Sequence, residues 1–131
     1  MPSLFTAFTA GPPHEITSLK PDLQLNSSLE VISRDVNQVF HESESKFLSR
    51  SDDIYIKIEY EAALYVKIIF REIYNADSND NRIIDLTREA LSMIANIKDS
   101  VSPQGAELYS DIARSKIDEA KNLLDNIHTT H

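Results

Sequence analysis

Apolar positions fall into four stretches along the chain, and the second is the densest. From Ile54 to Tyr74 it reads IYIKIEYEAALYVKIIFREIY, too evenly apolar for a surface element, which predicts the centre of a core. Its opening alternates like a half-buried strand, with Ile54, Ile56, Ile58 and Tyr60 separated by Tyr55, Lys57 and Glu59. Three features favour a helix instead. Ser51, Asp52 and Asp53 precede it as caps and dipole partners, neither Gly nor Pro interrupts it, and Ala62, Tyr65, Ile69 and Ile73 recur at helical spacing. A strand would need a turn near Glu61 and Ala62, where no turn residue stands.

Upstream, Leu29, Ile32, Val36, Val39, Phe40 and Phe47 follow Ser27 and Ser28 at helical steps, with Glu30, Arg34, Asp35 and Glu42 outside the stripe. This predicts a first helix from about Ser28 to Leu48. Downstream, NADSNDN at 75–81 is a loop signal, because Asn and Asp tolerate left-handed geometry and bond their own backbone. A third helix is expected from about Asn81 to Lys98, capped by Asp80 and burying Ile84, Leu91, Ile94 and Ala95 with help from Ile83 and Leu86. Ser102 and Pro103 announce the fourth, since proline at the first helical position forfeits no bond. It should run to about Ile127 and bury Tyr109, Ile112, Ala113, Ala120, Leu124 and Ile127. Arg114, Asp118 and Lys121 are expected on its wet side, supporting one another by about 0.2–0.5 kcal/mol per pair. Residues 128–131 read as a frayed tail.

Pro2, Pro12, Pro13, Pro21 and Gly11 crowd the start of the chain, which predicts an irregular arm over 1–27, with Phe5 and Phe8 as anchors onto the body. Short connections favour antiparallel neighbours. The expected architecture is therefore all-α, a four-helix bundle-like single domain over 28–131.

Charge narrows the choice of partner. With 13 Lys+Arg against 21 Asp+Glu the chain carries a formal -8, which repels nucleic acid and anionic membranes and attracts basic proteins. The chain has no Cys and only 2 Gly, so thiolate chemistry and Gly-rich phosphate loops are excluded. No apolar run approaches the roughly 20 residues of a membrane span, and the first residues lack the basic region of a signal peptide. The expectation is a cytoplasmic protein.

Candidate chemistry is sparse. Asp77, Asn79 and Asn81 imitate the head of a calcium loop, but Arg82 stands where its glycine belongs and Arg88 where its final carboxylate belongs. Glu42/Glu44, Asp52/Asp53, Glu59/Glu61 and Asp118/Glu119 are carboxylate pairs of a kind common on acidic helices. His14, His41, His128 and His131 supply no Glu-x-x-His on two helices. Nothing resembles a nucleophile elbow. We expect no enzyme, no cofactor and no metal.

What remains is recognition. Tyrosine beside carboxylates suits an interface with a basic partner, and such residues concentrate at the start of the second helix and the exit of the first. The expected partner-binding set is Glu42, Glu44, Asp52, Asp53, Tyr55, Glu59 and Tyr60. The competing reading is that the tyrosine rings pack in the core and that Asp52 and Asp53 only cap a helix.

Between Ser51 and Ile112, about half the chain, the order of features resembles small helical immunity proteins that neutralise a type VI secretion toxin, an NAD(P) glycohydrolase. The residues concerned are Tyr55 and Ile58 followed by Leu64-Tyr65-Val66-Lys67, then Asp80-x-Arg82, Leu86 through Ile94-Ala95, and Ser102-Pro103 leading to Ala106-Glu107-Leu108. Ser92 stands where such proteins carry glycine, and Ala62 where they carry glutamine. The resemblance implies a protein that binds the toxin and covers its NAD pocket, without turnover. An acidic helical adaptor, a secretion chaperone or a phage-encoded inhibitor is the alternative that composition allows.

Overall fold

The computed structural model describes the backbone of residues 21–129 and the side chains of residues 28–127. Four helices follow one another: α1 (Pro21–Ser49), α2 (Ile54–Asn75), α3 (Asn81–Ile97) and α4 (Pro103–Thr129). The chain is all-α over this range, and the alternating start of α2 is helix. No helix among the described residues is long and apolar enough to cross a membrane.

Local chemistry sets the ends. The amides of Tyr55 and Ile56 donate to Asp53 Oδ1 at 2.9 and 3.2 Å, with Asp53 in extended backbone, so two donors of the first turn of α2 are satisfied. Asp80 caps α3 through the amide of Arg82 at 2.9 Å, and Ser102 Oγ accepts from the amide of Gly105 at 3.1 Å. The turn between α2 and α3 carries Asp77 at φ 55°, the left-handed position that, after Gly, an Asp or Asn reaches most readily. At the other end, α1 begins at Pro21, earlier than its apolar stripe. Residues 21–27 are therefore helix where an irregular arm was expected; the rest of the arm, with Phe5 and Phe8, lies outside the described residues.

In cross-section the helices run α1, α2, α4, α3 around a common core. α3 packs most extensively on α4, α2 rests on α1 and α4, and α2 meets α3 across the middle. The α1–α3 side is the thinnest of these contacts, and α1 and α4 do not touch among the described residues. Ile32, Val66, Ile73, Ile83, Ile94, Ile97 and Ile117 lose all or nearly all solvent contact.

Two apolar stripes differ from those expected. α3 buries Ile83, Thr87, Ala90, Ile94 and Ile97, and α4 buries Ala106, Ser110, Ala113, Ile117, Ala120 and Leu124, each at alternating steps of three and four, with Ile84 buried beside the α3 stripe; Ile84, Ile94, Ala113, Ala120 and Leu124 are buried as expected. Ala95 faces solvent, Leu91 is half-buried, and Tyr109, Ile112 and Ile127 sit at the margin. The reason is steric. Small side chains let α3 and α4 approach closely, and Thr87 is buried at little cost because its hydroxyl donates to the Ile83 carbonyl at 2.9 Å.

Candidate functional site

The start of α2 is not the acidic patch that its sequence suggests. Asp53 is engaged as the helix cap, and Glu59 is only 8% exposed. Lys46 of α1 reaches both Glu59 carboxylate oxygens, at 2.8 and 3.1 Å. Arg50 and Lys98 line the same recess of about 370 Å³, together with Tyr55 and Ile56. Three cations from the ends of α1 and α3 thus offset the carboxylates here. Glu59 must be withdrawn as an exposed contact, because a carboxylate taken out of water needs a charge partner and Lys46 supplies it.

Tyr60 is also spoken for. Its ring stacks on Phe47 with centroids 4.7 Å apart and planes within 1°, and lies 5.9 Å from Phe40. Half-buried, it fills the α1–α2 seam rather than offering a free aromatic face, and Tyr55 likewise packs against the core. Asp52 remains exposed in the turn before α2.

Glu42 and Glu44 cannot act as a pair. Two residues along a helix are about 200° apart around its axis, so they look in different directions. Glu44 lies beside His41, at 3.9 Å, whereas Glu42 faces α3.

That second direction opens onto a groove of about 630 Å³ between α1 and α3. It exists because the α1–α3 contact is thin. Ile32, Val39 and Leu91 form its floor, and Asp35, Glu42 and Glu89 stand at its rim with Arg88 as the opposing cation. Glu89 is held by Lys116 of α4 at 2.9 Å, and Arg88 leans to Asp85 at 3.7 Å. Glu42 accepts a hydrogen bond from Gln38 at 3.0 Å, and neither it nor Asp35 forms an ion pair among the described residues. Asp35, Val39 and Leu91 were not among the expected contacts. The step of four from Asp35 to Val39 and three to Glu42 is legible in the sequence; which helix would lie opposite is not.

The charges of α4 are used differently. Tyr65 of α2 donates its hydroxyl proton to Asp118 at 2.6 Å. That bond, together with burial, raises the phenol above its ordinary value, and the Arg114 guanidinium 5.2 Å from the ring centre opposes the rise. Lys121 bridges Glu72 of α2 and Asp125 of its own helix, both at 3.1 Å. Arg114, Asp118 and Lys121 were expected to support one another on the wet side; each in fact reaches toward a neighbour on α2.

The loop that imitates a calcium site closes on itself. Arg82 forks onto both oxygens of Asp80, with Nη2 at 2.8 Å and Nε at 3.1 Å, and this pairing lowers the Asp80 carboxyl below its ordinary value. No group of three or more His, Asp or Glu among the described residues is placed to hold a metal ion.

No family model, curated protein or solved structure matches this chain. The groove and its surroundings are therefore read from their own chemistry.

Proposed function

We propose that this chain is an inhibitory binding protein of the immunity type, which seats a basic surface of a secreted toxin domain in the α1–α3 groove and so covers the toxin's active site. The observation that carries the reading is the groove itself. It pairs an apolar floor with the outward carboxylates Asp35 and Glu42, on a chain of net charge -8. Apolar area supplies affinity once water is displaced, and the carboxylates supply encounter rate and choice of partner. The resemblance over 51–112 supports an NAD(P) glycohydrolase as the toxin. In that reading the protein acts in the cytoplasm, by occlusion, with no cofactor of its own.

The test begins with the open reading frame beside this one. If it encodes a toxin domain, co-expression of this chain should relieve lethality in a test cell, and D35K/E42K should abolish the relief while leaving the fold intact. Affinity for the purified domain should also fall as salt rises. Lethality that persists despite soluble expression of this chain would remove the immunity reading. The same groove would serve an adaptor or secretion chaperone, and capture of a secreted substrate without a toxin would favour that alternative.

A further inference from the structure

The face of α1 that lines the groove runs on past its acidic rim to a second recess, between the end of α1, the start of α2 and the end of α3. On α1, Asp35, Val39, Glu42 and Lys46 follow at steps of four, three and four, and Arg50, just past the helix end with its amide donating to the Lys46 carbonyl at 2.9 Å, continues the stripe. Arg88 and Leu91 of α3 flank the first part of that stripe, and Lys98, at the end of α3, joins Lys46 and Arg50 at the second. The two helices therefore run in the same direction, and the balance of charge shifts along them: Asp35, Glu42 and Glu89 outnumber Arg88 in the first part, while Lys46, Arg50 and Lys98 outnumber Asp53 and Glu59 in the second. Asp35 and Glu42 come first, then Arg50 and Lys98, with Lys46 largely satisfied by Glu59 at 2.8 Å.

We propose that the partner element seated in this seam is an amphipathic helix of split charge. Its basic residues lie over Asp35 and Glu42, its apolar residues meet Val39 and Leu91, and its acidic residues lie over Arg50 and Lys98. This rests on the binding reading above and adds the second half of the contact. A third helix is the element whose apolar stripe fits a groove between two others. From Asp35 to Arg50 the seam rises about 22 Å, which sets the occupant at about four turns. Cations at the ends of α1 and α3 also favour their helix dipoles, so the experiment has to separate stability from recognition.

Three synthetic peptides on one Leu/Ala amphipathic scaffold do so, titrated against the full chain by fluorescence anisotropy. The first carries Lys in one half and Glu in the other, the second has the same composition with the charges alternated, and the third replaces every Glu by Gln. The split peptide should bind at least about fivefold tighter than its alternated isomer. R50E/K98E should erase that advantage, R50Q/K98Q should reduce it, and both should leave the Lys-only peptide's affinity unchanged. Equal binding of the split and alternated peptides, with the Lys-only peptide still bound, would overturn this inference and spare the binding reading. Failure of the Lys-only peptide to bind would overturn both. A dimer seen by light scattering and dissolved by R50Q/K98Q would assign the seam to a second copy of the chain, and overturn the inference too.

Discussion

Along α4 the polar side chains close seams, whereas along α1 the corresponding side chains leave one open. Asp118 takes the Tyr65 proton, Lys121 holds Glu72, and Lys116 holds Glu89, so the outer edges of the α2–α4 and α3–α4 contacts are laced by cross-helix bonds over a floor of small buried residues. Asp35 and Glu42 of α1 face α3 across a groove and form no ion pair among the described residues, since Arg88 on the far side leans to Asp85 of its own helix. Both helices are acidic and amphipathic. What separates them is side-chain size in the seam: Ala90, Ala106, Ala113 and Ala120 draw α3 and α4 together, while Val39 and Leu91 keep α1 and α3 apart. One side of the bundle is built for stability, and the other keeps apolar area and charge available.

The comparison breaks most visibly in the core. Ile117→Ala should cost about 2–5 kcal/mol, because it leaves a cavity in the closed seam. Leu91→Ala, at the open seam, should cost well below that range, since Leu91 is only half-buried. Denaturant midpoints at unchanged m-value measure both, and equal losses would show that the α1–α3 seam is as closed as its counterpart.

Next in size is the ion pair that masks the start of α2. Glu59→Gln should destabilise by about 1–2 kcal/mol, less than for a fully buried pair because Lys46 keeps contact with water. The same change should leave binding of a basic partner unaltered. A loss of affinity at preserved fold would return Glu59 to the interface.

Tyr65→Phe removes the bond across the closed seam and should cost about 1 kcal/mol. Its pH dependence follows from the raised phenol. A group whose folded value lies above its unfolded value contributes fully below the unfolded one, so this stabilisation persists below about pH 10 and fades as pH climbs through the raised value. Asp80 works in the opposite sense. Its lowered carboxyl stabilises α3 above about pH 4 and loses that effect as pH falls through the folded value. Thermal midpoints across pH should therefore show an alkaline loss that shrinks in Y65F and an acid loss that shrinks in D80N.

The smallest effect on stability belongs to the open seam. D35K/E42K should move the folding free energy by no more than about 0.5 kcal/mol, and yet abolish binding of a basic partner at low salt. A large destabilisation would mean that these carboxylates serve the fold, and would erase the distinction between the two sides.

Much of the architecture is determined by the sequence alone, since helix limits depend on short-range chemistry. Asp53, Asp80 and the Ser102-Pro103 pair mark starts because a side-chain oxygen or a missing donor acts within one turn, and the left-handed Asp77 falls inside the Asn- and Asp-rich stretch. The acidic character and the apolar weight of α2 are likewise readable residue by residue. Which face of each helix is buried was legible for α1, where large apolar residues declare it, and only partly for α3 and α4, where Ile84, Ile94, Ala113, Ala120 and Leu124 are buried as expected but the stripe around them is not the expected one. There Thr87, Ser110 and the alanines carry the contact, and their worth lies in the closeness they permit rather than in their own hydrophobicity. The fate of each charge was settled only by the tertiary structure. Glu59 looks like a surface acid until Lys46 comes to it from another helix, Glu42 and Glu44 look like a pair until the helix turns them apart, and Asp35 gains significance only because α3 stands opposite with Leu91 at the floor. Charge is visible in a sequence, but its partner is set by packing between segments distant along the chain.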